Sequence, residues 1–468
     1  MSATTARGRG LQTLPRNVGS TVPWTRPTAW LDVPDISTTN NRVVGLQRID
    51  PESNFVALSC TVTGGYTVEW GDGTTTNHAS AAVAQKQYDY STISSTGESQ
   101  LGYRQVVITV YPQAANNITA LSLQQRHTQA GLSSYAPGWL EVAVNCSAIT
   151  TLTIGGSIAL PYLQQATIHN HGLTTCAALF QNCRSLRSVP LFNTAAVTNM
   201  NSMFAGCSSL QSVPLFNTAS LTSMSSMFSG CTSLATVPLF NTASVTNMGA
   251  VFQNCSSLQS VPLFNTAAVT NMNNMFSNCF ALQSVPLFNT ASLTSMSSTF
   301  SGCTSLQSVP LFNTAAVTNM SFLFESSAIA SVPLFNTAAV TQMQNAFRLC
   351  PALTTIPLLN TAAVTNMSNM FGNSTSLVSV PALNTAAVTS GNFSNMFATC
   401  PSLSSAPLSG TNQTISYASC KLSAAALNAI YTGLSSTGTG KTITVTGNWG
   451  TATHDPTIAT AKGWTVTV

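Results

Sequence analysis

Residues 258–281 read Leu-Gln-Ser-Val-Pro-Leu-Phe-Asn-Thr-Ala-Ala-Val-Thr-Asn-Met-Asn-Asn-Met-Phe-Ser-Asn-Cys-Phe-Ala, and close copies of this 24-residue sentence run on both sides. Its proline stands at Pro190, Pro214, Pro238, Pro262, Pro286 and Pro310. After a one-residue deletion it stands at Pro333, Pro357 and Pro381, and after a two-residue insertion at Pro407. A fixed period of this length is the signature of a solenoid. One coil cannot bury enough apolar surface to offset the ordering of its own backbone, so the coils must stack and share a core.

Inside the coil two spacings alternate. Val261 and Leu263 flank Pro262 at strand spacing, which places them on one face of a very short strand. Proline has no N–H to give to a neighbour, so pairing is expected only on its N-terminal side. Asn265-Thr266 reads as the turn, because an Asn side chain can bond nearby backbone in place of a ladder. Val269, Met272, Phe276 and Cys279 then step by three, four and three, which predicts a short helix with Phe276 inside and Asn273 on its outer face.

Only 6% of the chain is Asp, Glu, Lys or Arg, against about a quarter in ordinary soluble proteins. From Ser188 to Leu408 there is one acid, Glu325, one base, Arg348, and no His, so the repeat surface is neutral and rich in Ser, Thr, Asn and Gln. A net charge of +4, with its bases dispersed, does not describe a phosphate-tracking nucleic-acid site. No run of apolar residues is long enough for a membrane-spanning helix.

Of the 12 cysteines, those from Cys183 to Cys400 fall at one place in the repeat. Stacked at about 4.8 Å, they stand farther apart than the roughly 3.5 to 4.5 Å between the Cβ atoms of a disulfide. Ser326 and Ser374 are read as replacing two of them, which suits a small buried slot. Reduced core thiols and assembly in a reducing cytosol are therefore expected. Residues 1–31 carry Arg7, Arg9, Arg16 and Arg26 without an apolar core segment, which is not the pattern of a secretory signal.

Residues 1–50 read as an extended arm whose Trp24 and Trp30 dock on the rest of the chain or on a partner, or else as a solvated linker. In residues 51–117, Tyr66, Val68 and Trp70 share a strand face, Gly71-Asp72-Gly73 turns the chain, and Val106, Ile108 and Val110 alternate again. In residues 118–187 irregular coils open the solenoid: Leu121 and Leu123, Leu152 and Ile154, then Ala166 and Ile168 are read into the slots of Val189 and Leu191. Regular coils fill residues 188–409. Residues 410–468 read as an α/β cap with a helix through Leu427, Ile430, Tyr431 and Leu434, a strand at Thr442 to Thr446, a turn at Asn448-Trp449-Gly450 and a strand at Trp464 to Val468.

Acid/base hydrolysis of a glycan needs two opposed carboxylates, and the repeats supply one. His169 and His171 sit at i and i+2, where a strand would point both at one ion, but no third ligand follows. Gly438-Thr-Gly-Lys441 lacks phosphate-loop spacing and precedes a strand. Asp72 reads as a turn former rather than a catalytic or calcium carboxylate. No catalytic residue, cofactor site or metal site is assigned.

The run Tyr66-Thr-Val-Glu-Trp-Gly-Asp-Gly73 resembles the signature of PKD-like domains, small immunoglobulin-like β-sandwiches used as spacers or adhesion modules. The repeat, Val-Thr-Asn-Met-x-x-Met-Phe-x-x-Cys, resembles the BspA-like leucine-rich repeats of bacterial and mycoplasma surface proteins, whose curved solenoids serve adhesion. The fold these resemblances imply is mixed β and α/β: a PKD-like sandwich, then a leucine-rich-repeat solenoid, then an α/β cap. The combination also resembles virion proteins of tailed phages, which fold in host cytoplasm and leave by lysis. It implies a non-enzymatic structural or attachment protein on the particle, forming a homo-oligomer. It would be held to other virion proteins by its N-terminal region and would meet a host-surface glycan or protein, with no nucleic acid bound and no membrane insertion. The alternative is a bacterial adhesin exported by an uncommon route. A tailspike-like polysaccharide hydrolase is disfavoured by the missing acid pair.

Overall fold

The computed structural model describes residues 24–128, 134–135, 138–389, 391–436 and 440–468. The molecule is mostly β, a solenoid of about 13 turns grown from a pair of sheets. The first sheet has six strands in the order β12-β10-β1-β6-β3-β4: β1 (Arg42–Ile49), β3 (Tyr66–Glu69), β4 (Thr75–His78), β6 (Arg104–Pro112), β10 (Trp139–Asn145) and β12 (Gln165–Ile168). The second runs β11-β7-β2-β5: β2 (Phe55–Val62), β5 (Val83–Gln87), β7 (Ile118–Ser122) and β11 (Thr151–Thr153). A two-stranded hairpin, β8 (Arg126–His127) with β9 (Ser134–Tyr135), lies outside both. Val43, Val68 and Ile108 of the first sheet share one buried core with Val56, Leu58 and Leu121 of the second.

Strand β1 pairs with β6 on one side and β10 on the other, so residues 42–49 are central to the sheet and not part of an arm. The remaining described part of that segment packs on the sheet's outer face. Trp24, Trp30, Leu31 and Val33 cover Leu46, Tyr103 and Leu140 in a second, smaller core. Trp30 Nε1 donates to Tyr103 Oη at 3.2 Å, and Arg26 pairs with Glu141 at 2.8 Å. The tryptophans thus dock on the chain itself.

The two sheets pass directly into the coil stack. β10 and β12 pair in parallel, Val142 opposite Ala166, while β7 and β11 pair in parallel, Leu121 opposite Leu152. Leu121 and Leu152 therefore lie in one sheet and Ala166 and Ile168 in the other, and they do not form the single column expected for them. From here an unbroken file of parallel bridges runs from Thr175 through Asn199, Ser223, Asn247, Asn271, Ser295, Asn319 and Gln342 to Asn366. Along this file the pairing position is the residue before the first Met, usually Asn or Ser. Pairing on the N-terminal side of the proline, which strand spacing indicated, occurs in the last coils, where Thr355 bridges Ser379 and Ser379 bridges Ser405.

The stretch with helical spacing is not a helix. Backbone N–H groups of Met272, Asn274, Phe276 and Asn278 donate to Ser295, Ser297, Thr299 and Ser301 of the next coil, at 2.7 to 3.2 Å. Those of Met275, Ser277 and Cys279 turn back to the carbonyls three residues earlier. Alternate donors thus serve the next coil and their own. The device requires left-handed backbone at Asn274 (φ +57°) and Asn278 (φ +60°), a pair four residues apart that every regular coil repeats. Two such reversals produce the spacing of three and four in the sequence while denying the i to i−4 bonds of an α-helix.

Inside, Phe252, Phe276 and Phe300 stack at centroid separations of 5.7 and 5.8 Å in a column that begins at Phe180 and ends where Phe397 meets Tyr417 at 4.8 Å. Tyr417 belongs to the C-terminal segment. There, the short strands β13 (Leu383–Asn384) and β14 (Leu408–Ser409) pair with each other. Beyond them β15 (Ile415–Ser416), β16 (Lys441–Thr444) and β17 (Trp464–Thr467) form a parallel sheet in that order. Between β15 and β16 a helix, Ala424–Gly433, capped by Ser423, buries Leu427, Ile430 and Tyr431. Strand β16 spans Lys441–Thr444, two residues short of the Thr446 end that the alternation predicts, although Val445 N and Thr446 O still bond neighbouring backbone. The turn at Asn448-Trp449-Gly450 is a 3-10 turn over Trp449–Ala452 led by Asn448.

Candidate interaction surface

All twelve cysteines are free and buried. The repeat thiols from Cys207 onward are donors: Cys207, Cys231, Cys255, Cys279 and Cys303 give their hydrogen to the carbonyl of the Phe one coil back, at 3.0 to 3.2 Å. Ser374 does the same to Phe347 at 2.6 Å. In the other coil without a Cys the slot is taken by Ser327, which touches Cys350 and is buried, and not by Ser326, which has left-handed φ. Burial raises these thiols, to about 12 at Cys279 and Cys350, which leaves them protonated and chemically quiet.

The other candidate groups are also spoken for. Asp72 accepts from Thr74 N at 3.0 Å, as a turn former does, and pairs with Lys86 at 2.6 Å. Burial raises the Asp72 carboxyl, but the bonds from Lys86 and Thr74 outweigh it and hold the pKa below the ordinary value. Strand β12 ends at Ile168, so His169 and His171 do not share a strand face. His171 Nδ1 accepts from Leu173 N, and its ring meets the edge of Phe192 at 5.5 Å; His169 lines an open depression with Pro190, Leu191 and Asn193. Among the described residues no three His, Cys, Asp or Glu side chains gather around a common point. Arg7, Arg9 and Arg16, with Gly438 and Thr439, lie outside the described residues. Glu325 and Arg348, the one acid and one base of the repeats, pair with each other across adjacent coils at 2.8 Å.

What the solenoid does present is regular. Phe264 N donates to Pro262 O at 2.9 Å, closing a three-residue turn with Leu263 at its apex. Val261 and Phe264 point in and Leu263 points out, 60% exposed where Val261 is 8%. The same turn recurs at Pro214, Pro238, Pro286, Pro310 and Pro333, and Leu191, Leu215, Leu239, Leu263, Leu287, Leu311, Leu334 and Leu358 make a file of leucines 58% to 64% exposed. Strand spacing had placed Leu263 beside Val261. The signal that separates them is the adjacent Phe264, since two neighbouring large side chains cannot both face one core.

Beside the leucines run neutral rows. Asn265 Oδ1 accepts from Ala267 N at 3.2 Å while its amide stays exposed, and Asn193, Asn217, Asn241, Asn289 and Asn313 repeat this. Buried Thr266 donates to Asn289 O at 2.8 Å, and exposed Thr270 to Thr246 O at 3.3 Å. The face offers apolar contact, amides and hydroxyls, with no charge and no nucleophile set against a base.

The model of a family described as "Mycoplasma protein of unknown function, DUF285" matches residues 174–285, 259–348 and 325–417, which together exceed half of the 468 residues. The chain belongs to the DUF285 family. No curated protein matches its sequence. Solved structures similar to this DUF285 protein include a leucine-rich cell surface protein of Faecalibacterium prausnitzii, 16% identical over 63% of this chain and 91% of that one, with a TM-score of 0.30. A leucine-rich-repeat protein of Eubacterium ventriosum is 17% identical over 61% and 85% of the two chains, TM-score 0.39. The leucine-rich-repeat protein of T. pallidum is 17% identical over 49% and 88%, TM-score 0.27. These values carry no argument about what the DUF285 protein binds.

Proposed function

We propose that this protein is a non-enzymatic structural or attachment protein of a tailed-phage particle, whose solenoid is displayed toward a host-surface glycan or protein. The observation that carries the non-enzymatic, adhesive part is the self-neutralised repeat surface: from Ser188 to Leu408 the single acid and single base are spent on each other. What faces outward is Leu, Asn, Ala, Ser and Thr, suited to broad contact and not to proton transfer. Twelve buried, unbridged thiols suit folding in a reducing host cytoplasm. In this reading the paired sheets act as a PKD-like spacer, the segment after Thr411 as an α/β cap, and residues 1–23 as the anchor, because Arg26 is engaged by Glu141 and Arg42–Ile49 by the sheet.

The family's mycoplasmal description fits a bacterial source, and the second reading is a bacterial surface adhesin exported by an uncommon route. Mass spectrometry of density-purified phage particles and of cell envelopes from the source separates the two. Recovery in particles supports the first, and recovery only in envelopes supports the second. If particles carry it, removing residues 1–23 should abolish incorporation and leave the melting temperature unchanged. Normal copy number in that variant places the anchor elsewhere. Release of reducing sugar from host polysaccharide by the pure protein would overturn the non-enzymatic reading.

A further inference from the structure

We propose that the file of exposed leucines is the interface of an antiparallel homodimer. This does not rest on the phage reading; it assigns a surface and a geometry to self-association. Three observations carry it. The first is area. Eight leucines about 60% exposed offer roughly 100 Å² each, on the order of the 800 Å² per partner of a standard interface, before the half-buried prolines beside them are counted. Left in water, an apolar patch of that size exceeds what single-chain soluble proteins ordinarily show.

The second observation is period. The leucines stand one per coil from Leu191 to Leu358, and Ala382 ends the file. A partner that covers it continuously must carry an apolar ridge of the same spacing, and a second copy of this chain supplies one. A two-fold axis between Leu263 and Leu287 lays the leucine file of each copy along that of the other, an isologous contact. A glycan would need hydrogen-bonding groups that leucine lacks.

The third is charge. Among the described residues nothing ionisable flanks the middle of the file, so close approach meets no repulsion there. Arg187 stands beside one end, in the place that Gln211 and Gln259 take in later coils. The antiparallel pairing keeps the two Arg187 at opposite ends, whereas a parallel one would bring them together with like charge.

Sedimentation equilibrium of the full chain at micromolar concentration should give a dimer that persists at high salt, since apolar burial is not screened. The variant carrying Leu239→Ser, Leu263→Ser and Leu287→Ser should melt like the parent and raise the dissociation constant at least about 100-fold. Mixing Leu191→Cys with Leu358→Cys under oxidation should give a covalent dimer that neither forms alone; this holds even if the triple variant folds poorly. A parent monomeric at every concentration overturns the proposal, as does a dimer indifferent to the triple substitution or a Leu191→Cys chain that links to itself. A monomer whose triple variant loses binding to particles or to host glycan would assign the file to a foreign partner and overturn it equally.

Discussion

Cys279 donates its thiol hydrogen to the carbonyl oxygen of Phe252, 3.0 Å away in the preceding coil. The cysteine file is therefore a set of weak buried donors that staple each coil to the last, and hydroxyls at Ser374 and Ser327 are its natural substitutes. Cys279→Ser should change stability by less than about 1 kcal/mol, while Cys279→Ala, which removes the donor, should cost about 1 to 2 kcal/mol. Urea unfolding midpoints of the two variants decide it. Alkylation in denaturant without reductant, read by intact mass, should label all twelve thiols.

The same thiols set an alkaline limit. Burial raises Cys279 and Cys350 to about 12 and carries Cys231, Cys255 and Cys303 well above the ordinary thiol value. In the unfolded chain they ionise near about pH 8.5. The folded values are raised, so this contribution is complete below about pH 8.5 and is lost as pH climbs toward about 12. Melting temperature should hold between about pH 6 and 8 and fall steadily above about pH 9. A chain with Cys231→Ser, Cys255→Ser and Cys303→Ser should fall less; an identical decline in both would remove the thiols as the cause.

Phe276→Ala should cost about 3 to 5 kcal/mol, because the ring is buried in the stacked column between Phe252 and Phe300. Asn273 is not the indifferent outer residue that helical spacing implied. Its Oδ1 accepts from Ser295 Oγ at 2.6 Å and from Ser297 N at 2.9 Å, both in the next coil. Asn273→Ala should therefore cost about 1 to 2 kcal/mol in a denaturant titration, and a change under about 0.5 would show those bonds to be replaced by water.

Leu349 holds φ +57° at the place where other coils put Gly206, Gly230, Asn254 and Gly302. A branched side chain in left-handed backbone costs roughly 1 to 2 kcal/mol, and Leu349 is already 36% exposed, so little burial is at stake. Leu349→Asn should raise stability by about 1 kcal/mol in thermal or chemical unfolding.

The solenoid, its period, its turn at Asn265 and its unbridged cysteines could be read from the chain because each depends on one coil meeting an identical copy. Two local conformations could not. Met272, Phe276 and Cys279 recur at three and four whether the backbone is helical or reverses twice through αL. The clue was the recurrence of Asn, Gly or Ser two residues before and two residues after the Phe, as at Asn274 and Asn278. Leu263 read as a core residue because Pro262 leaves strand spacing intact while a three-residue turn reverses the direction of the side chain. The exposure of the leucines is hidden by that one turn. Arg42–Ile49 is lost to the arm because Arg, Gly and Gln interrupt its alternation; both of its faces are covered, one by the main core and one by Trp30 and Val33.

Every bond that joins the coils, from the bridge of Asn247 to Asn271 to the contact of Cys279 with Phe252, reaches only the next turn. Removing one whole 24-residue unit or copying one in leaves each new junction with the same partners it had before, provided the cut keeps the register. Near-identical coding segments in tandem are natural substrates for unequal recombination. The molecule's reach is thus a property its gene can lengthen or shorten by one stride at a time, without redesigning either end.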